Sequence, residues 1–419
     1  MQPSTWVNTA RRSKRYPSLD KDISVDVAII GGGITGTTAA YLLSKEGKKV
    51  ALISDGTTEE TTTAHTTGFL NAPIDTSLAS LTKMFGQDIA FNVWRSTFWA
   101  IDRIEERIRD EKIECEFMRC DQYFYARDDA EWNELQEETK LAQEADFPVE
   151  AKRDSHLVFP NEGYIRVRQQ AKFHALDYVN ALIAAADRTG AQIYEKTEAT
   201  NIRINGRSRI VETKKGNITA KDIVMATYYP FILPKELSLH TGPYVTYIIE
   251  AEMDSGDLPE ALYQDMHNPY HYFRVDRMKG HDRLIMGGED HRRELKIDPN
   301  KNFKALESSM RDRLKYIEFK TKLRWHWGII EPIDGLPFIG ETKADPHQYV
   351  ATGFSGTGLT LGTLAAEIIS DAILGRRNGW AHLYREDRPL KPSALIQKGK
   401  DYVGEFMGGA AKNMFKKAK

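Results

Sequence analysis

The sequence predicts an α/β protein: a Rossmann-like, parallel-stranded domain with an antiparallel-sheet domain inserted into it. Three observations lead there. An apolar run, "VDVAIIGGG", enters a glycine turn near the start of the chain. A second strand and glycine turn, "QYVATGFSGTG", stands far downstream. Between them, residues 244 to 290 alternate apolar and polar positions with a period of two.

The totals set the frame. A chain of 419 residues exceeds one ordinary core, so two domains are expected. Apolar residues make up 41% and charged residues 28%, the balance of a soluble globular protein. A net charge of −2 gives no bulk attraction to nucleic acid or anionic membrane. Cys115 and Cys120 are the two cysteines, too few for a disulfide framework or a four-thiolate zinc site. Their spacing matches no iron–sulfur pattern, and no metal site is expected. A reducing, cytoplasmic location follows as the expectation. The most apolar stretch, residues 25 to 43, carries Asp26 and a glycine run, which suits strand, turn and helix rather than a membrane span. The basic "ARRSKRY" has no apolar run behind it, so no secretory signal is expected.

In order along the chain, residues 1–24 read as a polar leader. "VDVAII" is a buried strand, "TGTTAAYLLSKEG" a helix stopped at Gly47, and "KKVALIS" the second strand. Residues 88 to 147 read mainly as helix, broken by a strand pair around "CEFMRCDQYFYAR". "DYVNALIAAADRTGA" is a helix, and short strands follow to "DIVMATY". After the alternating strands come a helix near 302 to 317, the strand "QYVATGF" and the helix "LTLGTLAAEIISDAILG". The expected division is a cofactor domain in three pieces, 25–87, 160–230 and 325–385. A substrate domain takes 88–159 and 231–324, and a tail takes 386–419.

"GGGITG" places Gly31, Gly33 and Gly36 in G-x-G-x-x-G spacing. Gly31 permits the tight turn, Gly33 lets a pyrophosphate approach the backbone, and Gly36 lets the helix pack on the strand. The helix N-terminus, at Ile34 and Thr35, offers free amides to the phosphates. The acid that usually holds the adenosine ribose should end the second strand. Ser54 stands there with Asp55 after it, so the ribose contact falls to one of these two. In the late motif, Gly353, Gly356, Thr357, Gly358 and Leu359 form a second turn and helix start, whose amides suit a ring carrying developing negative charge. Two such turns, one at each end of the chain, favour FAD over NAD.

Those residues resemble a family, the FAD-dependent D-amino-acid-oxidase-like oxidoreductases. The resemblance is carried by "DVAIIGGGITG", "GAQIYEKTEATNI", "DIVMAT", "IEPIDGLPFIG" and "YVATGFSGTGLTLG", and covers most of the chain. It implies an FAD-binding domain, with Ala199 and Thr227 among the cofactor contacts. "STWVNT", "HTTGFL" and "GGEDH" look like the bacterial subgroup whose flavin domain is often followed by a Rieske iron–sulfur domain. No C-x-H…C-x-x-H pair follows residue 385. The implied chemistry is oxidation of a C–N bond, with hydride passing to flavin N5 and the imine then hydrolysing. The implied partners are a small amine or amino acid and, as electron acceptor, oxygen or a carrier protein. A flavin-bearing electron-transfer subunit and a non-catalytic scaffold stand as the alternatives.

The resemblance also bears on the loop "TTAHTTG". Relatives carry a flavin-bonded histidine in a small-small-x-His-small-small-Gly segment, which aligns with His65, Thr66 and Gly68; Ala64 stands where they have an aromatic. Covalent attachment, a non-covalent flavin contact and a plain turn are all open for His65. Thr62 and Thr63 cap the next segment or donate to the pyrophosphate in the first two cases. Many members hold a substrate carboxylate with a strand arginine. Arg274 in "YHYFRVDR" takes that role, with Tyr270 and Tyr272 on its face, or else pairs with Glu252 or Asp276; Arg277 is the fallback. In "RWHWGIIEP", His326 is a candidate base, and Trp327 either narrows the pocket or belongs to the core. The C-terminal "DYVGEFMGGAAKNMFKKAK" reads as an amphipathic segment that docks on its own domain or a partner.

Overall fold

The computed structural model describes residues 2–11, 14–227, 240–266, 270–295 and 297–389. Three sheets organise them. A six-stranded sheet runs in the order Phe338–Glu341, Gln348–Thr352, Asp222–Met225, Val27–Ile30, Val50–Ile53, Gln192–Tyr194. Its pairs are parallel except at the Phe338–Glu341 edge. The strands Val27–Ile30 and Val50–Ile53 are buried at every position. That is why they read as continuous apolar runs: a parallel strand covered on both faces has no side for polar residues.

The helices Ile34–Lys45, Ala175–Arg188 and Gly358–Ile373 pack together over this sheet. The first and last lie in close contact. A Cβ on Gly362 would stand 2.6 Å from Thr35 Oγ1, so glycine is what lets these two helices approach. A smaller sheet joins Ile23–Ser24, Asn217–Ala220, Ser208–Thr213 and Ala199–Asn205.

The third sheet has nine strands, mostly antiparallel. Phe319–Pro332, Thr241–Met253, Asp282–Arg292 and His271–Arg277 are neighbours in that order. The helix Pro299–Arg313 covers one face, with Phe303, Leu306 and Met310 in the core. The opposite face of these strands turns toward the loop around residue 65. Two boundaries differ from the sequence reading. Gly163–Lys172 and Phe319–Pro332, placed there largely with the cofactor domain, pair in the nine-stranded sheet. The expected strand pair near residue 120 is one strand, Met118–Ala126, whose partners come from distant parts of the chain.

The leader also differs. Thr5–Thr9 is a short helix capped by Ser4, and Trp6 is fully buried among Ala64, Leu176, Ile248, Ile285 and Trp325. Trp6 Nε1 donates to the Thr66 carbonyl at 2.6 Å, and the Ser4 hydroxyl donates to the Ala64 carbonyl. One tryptophan in a polar context gives no periodicity, so the composition there concealed a core residue. At the other end, Arg388 pairs with Asp334 and lies 3.9 Å from the centre of the Phe338 ring. The tail from residue 390 lies outside the described residues. Among the described residues no helix is long and apolar enough to cross a membrane.

Candidate functional site

The glycine turn after Val27–Ile30 is shaped for close approach. Gly31 has φ +120°, and a Cβ there would meet the Ala226 carbonyl at 2.4 Å. A Cβ on Gly36 would stand 1.9 Å from the Gly31 carbonyl, so the turn and the first helical turn are stacked directly on each other. Gly33 is the N-cap of the helix and provides no side-chain cap. The Ile34 amide instead donates to Thr63 Oγ1 at 3.0 Å, which leaves the Thr63 hydroxyl proton available to a ligand. The loop "TTTAH" is thereby tied to the glycine turn.

The second turn meets the first in space. The helix Gly358–Ile373 begins at Thr357, again without a side-chain cap. Because the two helices lie side by side, both N-termini open onto one cavity of about 660 Å³. Of the sequence-predicted cofactor residues, Gly31, Gly33, Ile34, Thr35, Ser54, Asp55, Thr62, Thr63, His65, Thr66, Ala199, Thr227, Gly353, Gly356, Gly358 and Leu359 line it. Gly36 lies beneath the turn, Gly68 behind the His65 loop, and Thr357 is buried at the helix start. The hydroxyls of Thr227 and Thr357 are buried without a hydrogen-bond partner in the described chain. Uncapped amides, glycines with no room for a Cβ and unpartnered hydroxyls together form a cradle that fits a dinucleotide's phosphates.

At the far end of the cavity, the His65 ring stacks on Trp327, with centroids 3.7 Å apart and planes 9° apart. Its Nδ1 lies 2.9 Å from the Thr61 carbonyl, which only accepts, so Nδ1 carries the proton and Nε2 is bare in the neutral ring. Burial lowers the pKa of His65, and the Thr61 contact opposes this only in part. Trp327 Nε1 donates to Thr62 Oγ1 at 3.0 Å, and Trp325 Nε1 donates to the His65 carbonyl at 2.9 Å. The loop is therefore held from the sheet by two indoles and from behind by Trp6.

Three substrate-side expectations are corrected. Arg274 shares the face of Tyr272 but does not line the cavity. Its Nε and Nη2 donate to Asp276 at 2.9 and 2.7 Å, and Nη1 donates to the carbonyls of Thr67, Gly68 and Phe173. With 1% exposure, each of its three guanidinium nitrogens donates within the protein. Arg277, the fallback, pairs with Asp282 and the Leu258 carbonyl. His326 is among the residues lining the cavity, yet alternation along the strand sends its ring to the face opposite Trp325 and Trp327, toward Tyr247 and Phe303. Burial foremost lowers its pKa, and His291 adds to the fall.

Tyr272 does line the cavity. Its ring lies across Gly287, its cross-strand partner: a Cβ there would meet the ring at 2.2 Å. The glycine pair in "GGEDH" thus makes room for an aromatic surface. Thr246 and Arg293 also line the cavity and were missed. Thr246 was legible as one of the alternate positions in "YVTYIIEAEM"; Arg293 sits in an exposed 3-10 turn with no sequence signal.

The fold and the cradle define a dinucleotide-binding flavoprotein. Residues 26–372 match the family described as FAD dependent oxidoreductase, and the chain belongs to it. A protein of Bacillus subtilis named putative Rieske 2Fe-2S iron-sulfur protein YhfW is 27% identical over 396 residues, 92% of this chain and 76% of that one. Gamma-glutamylputrescine oxidoreductase of Escherichia coli is 24% identical over 395 residues, 89% of each chain. The crystal structure of glycine oxidase from Geobacillus kaustophilus shares the fold with a TM-score of 0.74 at 20% identity, over 88% of this chain and all of that one.

Proposed function

We propose that this FAD-dependent oxidoreductase oxidises the C–N bond of a small amine or amino acid. The observation that carries the reading is the two-ended cavity. One end is a phosphate cradle of glycines and helix amides; the other meets Thr246, Tyr272 and Trp327 on the nine-stranded sheet. The first suits a nucleotide and the second a small organic molecule. The names of the glycine oxidase and gamma-glutamylputrescine oxidoreductase relatives support nitrogen-bearing substrates.

Bound FAD supplies the two-electron oxidant for the carbon next to nitrogen. The residues of the chain bind and orient. The amides at Thr35 and Gly358 and the hydroxyl of Thr63 would hold the phosphates and the ring. Ser54 or Asp55 holds the ribose. Trp327 and Tyr272 keep water from the reacting carbon. His65, neutral and with a bare Nε2, stands at the flavin as contact or as covalent anchor. Acid precipitation of the yellow protein separates the two: colour in the pellet marks a bond, colour in the supernatant a contact.

Anaerobic mixing with a panel of amines and amino acids tests the function. Loss of the oxidised flavin band with at least one of them is expected. A flavin that no amine reduces, but that exchanges electrons with an iron–sulfur protein, would replace this reading with an electron-transfer subunit. The Rieske-named relative favours a carrier protein over oxygen as acceptor. Dye reduction faster than oxygen consumption is the expected sign.

A further inference from the structure

A dinucleotide fold normally ends its second strand on a carboxylate that accepts from the adenosine ribose hydroxyls. Here Val50–Ile53 is followed by Ser54, whose side chain packs against the glycine turn: a Cβ on Gly32 would stand 3.1 Å from Ser54 Oγ. A hydroxyl fits at that place, and the charge has to come from another residue. Among the described residues, three carboxylates line the cavity: Asp55, Glu60 and Glu198. Glu198 is turned to Lys214, 2.7 Å away. Asp55 is an exposed bend residue with no hydrogen bond or ion pair among the described residues, so nothing orients its carboxylate.

Glu60 is held. Its Oε2 accepts from the Thr57 amide at 2.8 Å and from the Thr57 hydroxyl at 3.2 Å, which leaves Oε1 without a bond in the described chain. The Thr57 amide foremost holds the Glu60 carboxyl below the usual carboxylate range, and the Thr57 hydroxyl, Lys196 and Arg15 add to the effect. The loop that carries it is fixed from both sides. Thr58 Oγ1 donates to Asn180 Oδ1 at 2.7 Å on the helix Ala175–Arg188, Glu59 pairs with Arg15 at 2.7 Å, and the Lys196 amide donates to the Gly56 carbonyl at 3.4 Å. Gly56 completes the arrangement. Its backbone is not in the left-handed region, so conformation does not call for glycine there. A Cβ on it would stand 2.6 Å from Glu60 Oε2 and 3.1 Å from Glu60 Cδ, so the glycine provides room for this carboxylate to fold back over the loop.

We infer that Glu60 supplies the carboxylate that accepts from the adenosine ribose of FAD, in place of the acid missing at Ser54, with the Ser54 hydroxyl as its neighbour. A carboxylate pinned through one oxygen presents the other in a fixed direction, and hydrogen bonds to a charged acceptor are the strong ones. Glu60 is a binding residue, remote from the reacting carbon. Only bound FAD is required for this role, so it rests on the family assignment and not on the reaction proposed above.

The test titrates FAD-free protein, made in riboflavin-starved cells, with FAD and with FAD lacking the 2′- or the 3′-hydroxyl of the adenosine ribose. The readout is the fast quenching of protein fluorescence by the flavin, taken before any bond to His65 forms. Wild type should lose about tenfold in affinity for at least one of the deoxy cofactors. Glu60→Gln, whose amide oxygen still accepts from Thr57, should bind FAD about tenfold more weakly and should bind FAD and the deoxy cofactors alike, within about twofold. Asp55→Asn should stay within about twofold of wild type on all three. The melting temperature of the FAD-free protein should be the same for Glu60→Gln and wild type. A Glu60→Gln that binds FAD as wild type does, or an Asp55→Asn that takes the loss instead, overturns the inference. So does a Glu60→Gln that is weaker but still distinguishes the deoxy cofactors as wild type does, which marks Glu60 as a loop cap only. An amine panel that fails to bleach the flavin sinks the amine-oxidising reading and leaves these titrations as they are.

Discussion

Arg274→Met separates a structural arginine from a substrate arginine. In the wild-type chain the guanidinium donates to Asp276 and to three carbonyls. The substitution leaves Asp276 with Lys172, 2.7 Å away, and Arg283, 2.8 Å away, so the buried negative charge stays compensated. The carbonyls of Thr67 and Phe173 lose the Arg274 donor, and that of Gly68 keeps only the Phe173 amide at 3.4 Å. Each orphaned buried acceptor costs about 1–3 kcal/mol, and the lost Asp276 contacts add less than the ~3–5 of a fully broken buried pair, because the carboxylate keeps two cations. A loss of about 3–5 kcal/mol is the working figure. An unfolding entropy near 2.1 cal/mol/K per residue gives roughly 0.9 kcal/mol/K for the 419 residues, so Tm should fall by about 3–6 °C. Scanning fluorimetry with saturating FAD measures this. The Michaelis constant for any substrate that bleaches the flavin should stay within about twofold, since Arg274 does not reach the cavity. A variant with wild-type Tm and a Michaelis constant raised about tenfold would refute the reasoning and return Arg274 to the substrate.

Gly36→Ala drives a Cβ into the Gly31 carbonyl and should give a folded but colourless protein, or none in the soluble fraction, checked by the flavin-to-protein absorbance ratio. Gly287→Ala displaces the Tyr272 ring and should change turnover while flavin content stays unchanged. Asp290 has a folded pKa raised above its ordinary value, so ionisation costs stability as pH rises from about 4 through 7. Asp290→Asn should therefore be more stable than wild type at pH 8, by about 2–4 kcal/mol, with no difference below about pH 4. Asp276 shows the opposite sign. Burial alone would raise its pKa, but Arg274, Arg283 and Lys172 hold it below the ordinary range, so its stabilising contribution persists to pH values below about 4. Asp276→Asn should lower Tm throughout the neutral range, and the gap should narrow only under strong acid.

Much of the parallel domain was legible because its strands are buried on both faces and its turns need glycine. "VDVAIIGGGITG" and "YVATGFSGTG" state both requirements in one line of sequence. The cradle residues followed, since backbone amides and hydroxyls act wherever the turn puts them. The substrate side was harder for a physical reason. On a strand, one residue of offset reverses a side chain's direction, and His326 is one residue from both Trp325 and Trp327. Arg274 lies on the same face as Tyr272, yet the His65 loop roofs over the one and leaves the other open. No local pattern encodes which part of a strand a distant loop will cover. Trp6 failed for a related reason: its partners Ala64, Leu176 and Trp325 are far away in sequence.

The docking of Trp6 has a consequence for how the cofactor is acquired. The His65 loop takes its shape from the start of the chain through Trp6 and from the far half through Trp325 and Trp327. The second amide cluster, at Gly358, is made later still during synthesis. A ribosome-bound chain therefore lacks the second amide cluster until the helix Gly358–Ile373 has emerged. FAD capture then ties together segments far apart in the sequence, and contacts of such long sequence separation form slowly. Bulky additions at the N-terminus should then delay the appearance of yellow protein more than they lower its final yield.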